Sequence, residues 1–174
     1  MKICDLGSAS DISENEITPY LVSRFYRAPE IILGIPYDYA IDIWSIGCTL
    51  YELYTGKILF PGRSNNQMLR LMMECRGRFP SKMLRKAHFL SSYFNEQMVF
   101  MVQEVDSVTG NEVVRPLNIQ KPTKELKVRV GTAATAGEAG LLASFVDLLG
   151  RCLELNPEKR ITPAEAFRHP FIKL

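Results

Sequence analysis

The sequence predicts a mainly α-helical unit carrying one β-hairpin, and three runs of residues carry that expectation. Residues 40–55, AIDIWSIGCTLYELYT, are apolar around most of a helical circumference. Residues 100–119 hold two β-rich runs on either side of Thr109-Gly110-Asn111, a hairpin signature. From residue 139, AGLLASFVDLLGRCLEL places Leu142, Phe145, Leu148, Leu149 and Cys152 on one helical face.

Composition agrees with a single packed unit. The chain has 174 residues, of which 47% are hydrophobic and 23% charged, too apolar for a disordered segment. A chain of this length buries roughly 70% of its unfolded surface. No run approaches the ~20 apolar residues that span a bilayer, and MKICDLGSAS lacks a signal-peptide core. The net charge of +2 is well short of a nucleic-acid-binding balance. The densest basic stretch, Arg76 to Lys86, reads as a solvated helix-loop face rather than a phosphate-binding patch. Cys4, Cys48, Cys75 and Cys152 form no CxxC pair, which points to a reducing intracellular compartment and away from disulfides or zinc.

In chain order, residues 1–7 read as the end of a short strand broken by Gly7, and residues 8–29 as a long irregular loop. Residues 40–55 form the central, buried helix, with Gly56 as its left-handed cap. Asn65 or Asn66 is expected to cap a second helix through residue 76, ended by Gly77 and Pro80. Residues 131–140, GTAATAGEAG, read as a mobile loop. Asn156-Pro157 breaks the helix from 139, and Thr162-Pro163 opens the next with an N-cap and a proline at its first position.

Three constellations carry the chemistry. Asp5-Leu6-Gly7 sets a carboxylate before a sharp turn, suited to a hard cation such as Mg²⁺. Tyr20 is followed by Ser23, Arg24, Arg27 and then Ala28-Pro29-Glu30. Asp42-Ile-Trp44-Ser45-Ile-Gly47 lies in the apolar helix, where a buried carboxylate needs a partner.

In this order the constellations resemble the C-terminal, large lobe of a protein kinase, whose DFG and APE triplets bracket the activation segment. Leu6 stands where the family has Phe. The resemblance extends to Asn156-Pro157-Glu158-Lys159-Arg160-Ile161-Thr162 and to HPFI at residues 169–172. SRFYRAPE and the long stretch before the 139–153 helix are similar to the group of cyclin-dependent, MAP, Clk-type and dual-specificity Tyr-regulated kinases. Within it, TPYLVSRFYRAPEIILG and YDYAIDIWSIGCTLYELYTGKILFPG are similar to the spliceosomal pre-mRNA-processing kinases.

The resemblance implies an incomplete kinase domain over residues 1–174. Residues 1–30 would be the metal-binding triplet and activation segment, 31–77 the central helices, 78–138 a hairpin-containing insert, and 139–174 the C-terminal helices. It implies transfer of the ATP γ-phosphate to serine or threonine of protein substrates, with splicing factors as substrates and the nucleus as location. Neither direct nucleic-acid binding nor membrane contact is expected. Asp5, with Gly7, would serve the nucleotide and its Mg²⁺. Tyr20 would be the regulatory phosphosite, with Arg24 and Arg27 receiving its phosphate. Ser23 would support the catalytic loop, and Asp42 would accept backbone N–H groups of that loop. Glu30 and Arg160 would form a buried ion pair.

The sequence contains no glycine-rich loop, no VAIK-type lysine and no HRD-x-x-x-x-N segment, hence no catalytic base. It therefore reads as a fragment or truncated product, inactive by itself. The alternative is a non-catalytic binding module that uses the large-lobe surface.

Overall fold

Among the described residues the first α-helix begins at Pro29. The computed structural model describes residues 4–14, 16–132 and 135–173. From Cys4 to Ala28 the backbone is irregular, with 3-10 turns at Ile12–Glu14 and Arg24–Tyr26. The strand expected over residues 1–7 does not form in Cys4–Leu6, and Met1–Ile3 lie outside the described residues. The hairpin makes the only sheet among the described residues, so Cys4–Leu6 have no strand to pair with.

Helix α1, Pro29–Leu33, starts on a proline whose missing N–H costs nothing there, and all five residues are buried. Gly34, at φ 67°, ends it in the left-handed conformation. Helix α2, Ala40–Thr55, matches the expected bounds, with Asp38 Oδ1 accepting from Ala40 N at 2.8 Å. Its burial is narrower than expected. Ile43, Trp44, Gly47, Cys48 and Tyr51 face the core, whereas Ile46, Leu53 and Tyr54 are exposed. Apolar residues ring this helix, but described neighbours pack on one face of it.

Helix α3 runs Asn65–Arg76, and its cap is Ser64, whose Oγ accepts from Gln67 N at 3.1 Å. Neither asparagine caps it. Asn66 instead imitates a strand edge: its Nδ2 donates to Met101 O at 2.8 Å, and its Oδ1 accepts from Gln103 N at 2.9 Å. That docks β1, Phe100–Val105, on α3. Strand β2, Glu112–Leu117, pairs antiparallel with β1, Phe100 opposite Leu117 and Val105 opposite Glu112. Between them the Asp106 carboxylate accepts from Val108 N and Thr109 N, and Gly110 takes the positive φ of 71°. Before the hairpin lies α4, Ser81–Leu84, and after it α5, Leu126–Val130.

Helix α6, Ala136–Cys152, begins inside the stretch expected to be a loop. Thr135 and Glu138 form a capping box, which starts the helix four residues before Gly140. Thr132 precedes this box, and residues 133 and 134 of the expected loop lie outside the described residues. Arg76 of the basic stretch turns inward to the end of α6, donating to Gly150 O at 2.9 Å and Leu153 O at 3.1 Å. Helix α7, Pro163–Ala166, carries a second capping box from Thr162 and Glu165. The chain end is tied back to α6. His169 Nδ1 accepts from Phe171 N, so its Nε2 carries the proton that faces Asp147 Oδ2 at 2.9 Å. That hydrogen bond, ahead of the nearby Arg151 charge, pulls the Asp147 carboxyl below its ordinary value.

The core gathers α1, α2, α3, α6 and the buried face of β1. Trp44 stacks on Phe60 with centroids 5.7 Å apart, both fully buried. Helices α2 and α6 cross at Gly47, where an added Cβ would stand 2.9 Å from Cys152 Cβ. No described helix is long and apolar enough to cross a membrane.

All four cysteines are free thiols, with Cys4 exposed and the other three buried. Burial pushes the Cys152 thiol up to about 11 and the Cys48 thiol higher still. A native-state thiol titration with a charged aromatic disulfide is therefore expected to modify Cys4 alone, and the remainder only in denaturant. Rapid native modification of Cys48 would contradict this packing.

Candidate functional site

The segment from Cys4 to Pro29 is held on the helical core by a few polar side chains, and the sequence-derived candidates divide between those that hold it and those that face solvent. Asp5 is exposed and sits at φ 59°, a left-handed conformation uncommon for residues with a Cβ but open to aspartate, whose short carboxylate bonds locally. Its Oδ1 accepts from Gly7 N at 3.3 Å, which closes the turn. A Cβ on Gly7 would come 3.3 Å from that same oxygen, so glycine leaves the carboxylate room. Among the described residues, no group of three or more His, Cys, Asp or Glu is placed to hold a metal. Asp5 therefore stands as a single carboxylate, which suits Mg²⁺ in the mode where phosphates and waters fill most of the coordination sphere.

Tyr20 is 75% exposed, and the guanidinium carbon of Arg27 lies 5.8 Å from its ring centroid. Arg27, only 5% exposed, gathers the backbone around itself. Its Nε donates to Leu21 O at 2.9 Å, and Nη2 donates to Val22 O at 2.9 Å and Tyr20 O at 3.2 Å. Nη1 donates to Asn65 Oδ1 at 2.8 Å. Val22 takes φ 67°, a strained value for a β-branched residue, and its carbonyl is among those that Arg27 holds. Burial first, and then the Arg24 charge, push the Arg27 pKa down. Arg24 is exposed and donates from Nη1 to Arg63 O at 2.7 Å. Ser23 is exposed, and its carbonyl accepts from Tyr26 N at 3.0 Å.

The end of the segment is anchored on α2. Tyr26 donates its hydroxyl to Glu52 Oε2 at 2.6 Å, a bond that holds the phenol pKa up. Ser45 Oγ lies 2.9 Å from Tyr26 O and 3.1 Å from Ile41 O, which gives the serine of the Trp44-Ser45 pair its task. Glu30 and Arg160 meet in a bidentate pair, with Nη1 to Oε1 at 2.6 Å and Nη2 to Oε2 at 2.9 Å. Both side chains have 0% exposure. Arg160 also donates to Ala40 O and Glu154 O, and its guanidinium lies 5.2 Å from the Trp44 ring centroid. Every donor group of that buried fork thus has a partner, the condition under which a buried charge is tolerable.

Asp42 differs from its sequence reading. It is exposed at the head of α2, beside an open cavity of about 430 Å³, and among the described residues no group pairs with its carboxylate. Glu14, Glu16 and Asp38 line the same open cavity, and because Asp42 is exposed there its carboxylate requires no buried partner. Asn65 was missed as a site residue. It receives Arg27 and donates from Nδ2 to Pro19 O at 3.2 Å, joining the segment to α3. Its position after Ser64 gave the available signal, because Ser64 can cap the helix and free Asn65 for another task.

Residues 1–172 match the protein kinase domain family. The chain is 57% identical, over 98% of its length, to the serine/threonine-protein kinase prp4 of Schizosaccharomyces pombe, and spans 36% of that protein. It is 53% identical, over 99% of its length, to the serine/threonine-protein kinase prpf4B of Dictyostelium discoideum, and spans 22% of it. It is 38% identical, over 98% of its length, to the dual specificity tyrosine-phosphorylation-regulated kinase 3 of Rattus norvegicus, and spans 29% of that protein.

Proposed function

The chain belongs to the protein kinase domain family, and from that premise we propose that it forms the large-lobe part of a serine/threonine kinase acting on splicing factors in the nucleus. The likeness to the prp4 and prpf4B kinases supports the substrate class and location. The observation that carries the catalytic reading is Asp5, a non-glycine residue in a left-handed backbone that presents one exposed carboxylate beside Gly7. A left-handed backbone is uncommon at residues with a Cβ and, among them, suits aspartate. Asp5 would hold the Mg²⁺ that accompanies ATP, which supplies charge neutralisation across the phosphates.

The other residues act through position. Glu30 and Arg160 fix the end of the segment on the helices, and Tyr26, Ser45 and Glu52 fix the stretch before it. Asp42 offers an unpaired carboxylate at the head of α2, free to receive backbone N–H groups of a catalytic loop, and Ser23 is exposed to meet that loop as well. Tyr20, exposed and with the Arg27 guanidinium beside its ring, is the regulatory phosphosite of this reading.

The isolated 174-residue chain is expected to transfer no phosphate from ATP, because its sequence has no HRD-type aspartate. In the full-length kinase, Asp5→Asn is expected to lower turnover by at least ~10²-fold, the scale of losing one preorganised charge contact. Transfer by the isolated chain that Asp5→Ala abolishes would overturn the expected inactivity. Wild-type turnover by full-length Asp5→Asn would remove Asp5 from the metal site.

A further inference from the structure

The basic stretch over residues 76–86 has no part in the proposed function, and the structure divides it. Arg76 turns inward to α6, whereas Arg78, Lys82, Arg85 and Lys86 are exposed. Lys82 and Lys86 stand four residues apart along α4 and the turn that continues it, where Arg85 N donates to Ser81 O at 3.1 Å and Lys86 N to Met83 O at 3.0 Å. Both lysines line one cavity of about 270 Å³, between α4, the connection from α1 to α2 and the turn at 156–158. That volume is below the range for drug-sized ligands and suits a single large side chain.

The cavity has an apolar wall and a charged rim. Ile35, Pro36, Met83 and Pro157 form the wall, and Met83 is buried. On the rim Lys86 pairs with Glu158. That hydrogen bond first, then the Lys86 charge, and then the Lys82 charge hold the Glu158 carboxyl below its ordinary value. Two ammonium groups thus share one carboxylate, and among the described residues Lys82, Arg78 and Arg85 form no ion pair. The other acid of the lining, Asp38, is committed to the start of α2, where its Oδ1 accepts from Ala40 N at 2.8 Å. Surplus positive charge therefore stands beside the apolar wall. Both members of the Lys86–Glu158 pair are half-exposed, so water solvates Glu158 when Lys86 turns to another acid.

We propose that this cavity docks a short acidic segment of a protein partner, with one aliphatic or aromatic side chain against Met83 and Pro157 and neighbouring carboxylates on Lys82 and Lys86. A side chain anchored in a pocket supplies most of the affinity of such a contact, and rim charges supply steering and selection. Tyr37 and Asp38 line both this cavity and the one beside Asp42, so the docked segment lies next to the candidate site. Such docking goes beyond the kinase reading and requires no phosphoryl transfer.

The test uses the 174-residue chain, labelled with ¹³C at its methionine methyl groups, and three fluorescein-labelled peptides. Each peptide carries Leu, Phe or Trp between three acidic residues on either side. At least one is expected to bind, read as a rise in anisotropy, and to shift the Met83 methyl resonance, which Met83→Leu identifies. Its amide version, with Asn and Gln for Asp and Glu, should bind ~10-fold or more weakly. Lys82→Glu with Lys86→Glu is expected to weaken binding by ~10-fold or more. An equal charge change outside the cavity, Lys121→Glu with Lys127→Glu, should weaken it by less than ~2-fold. All four lysines are exposed, so these variants fold. Failure of all three peptides to bind, equal binding of the amide version, or equal losses in the two lysine pairs overturns the proposal. So does a Met83 resonance that moves with chain concentration in the absence of peptide, for then a second copy occupies the cavity.

Discussion

Arg160→Ala is expected to destabilise the folded chain by about 3–5 kcal/mol, the cost of leaving one member of a buried ion pair alone. Glu30 would remain as a carboxylate with 0% exposure, its two acceptor bonds gone. The carbonyls of Ala40 and Glu154 would lose their donor, and Trp44 the cation beside its ring. A domain of this size has roughly 5–15 kcal/mol in total, so the loss is a large share of the whole. Glu30→Gln should cost less, because its amide oxygen still accepts one bond from the guanidinium. The double change Glu30→Leu with Arg160→Met is expected to recover more than half of the loss, since an apolar pair leaves no orphan charge. Urea unfolding at pH 7, followed by far-UV circular dichroism, reads all three. A loss under ~1 kcal/mol for Arg160→Ala would mean that the pair behaves like a surface contact and does not hold the segment.

The second large effect is expected at Gly47. Alanine in a helix interior gains up to ~1 kcal/mol over glycine, so propensity alone favours Gly47→Ala. Packing opposes it. The new methyl would stand 2.9 Å from Cys152 Cβ and 3.1 Å from two atoms of Leu153. The leucine can turn aside, but the Cβ of Cys152 is fixed to its backbone, so α2 and α6 must separate. Overpacking of this kind costs ~1–3 kcal/mol, and the expected outcome is a net loss for alanine and a greater one for Gly47→Val. Cys152→Ala keeps the offending Cβ and should give no rescue. Gly56→Ala is the control, for nothing lies within 4 Å of its Cβ position and only the left-handed φ of 70° resists it. That change should cost ~1–2 kcal/mol and leave the α2–α6 crossing intact. Thermal unfolding of the four variants separates the two mechanisms, and a Gly47→Ala protein more stable than wild type would show that the helices slide apart freely.

How much of this was legible in the sequence depended on the range of the interaction involved. Helix α2 was readable to the residue, because its apolar period and Gly56 are local signals. Which part of its circumference is buried was not readable, because Ile46, Leu53 and Tyr54 are as apolar as the residues that found partners. The cap of α3 was misplaced by one or two positions, as Ser64, Asn65 and Asn66 are all good N-cap residues. Tertiary demand settled it: Asn65 is required by Arg27 and Asn66 by β1, which leaves Ser64. The start of α6 was legible and overlooked, since Thr135 and Glu138 have capping-box spacing within a stretch otherwise small and glycine-rich. Spacing from Tyr20 and the kinase resemblance marked Arg27 as a phosphate ligand. Only the fold shows its guanidinium occupied by three backbone carbonyls, a task with no sequence signature.

The hairpin grips the rest of the molecule mainly by one strand, with Leu117 at the end of the other reaching the core edge. Asn66 and the carbonyl of Tyr93 hold β1, whose Phe100 and Val102 reach the core, while β2 is exposed or half-buried throughout. The connection at 106–111 therefore hangs clear of the body, with Val108 at 91% exposure. Lengthening a flexible loop is inexpensive, about 0.6 kcal/mol for each doubling. Evolutionary drift in length is thus free to accumulate at this tip while the α3–β1 joint stays constant, and an inserted reporter peptide between Val108 and Thr109 would be carried without disturbing the helices beneath it.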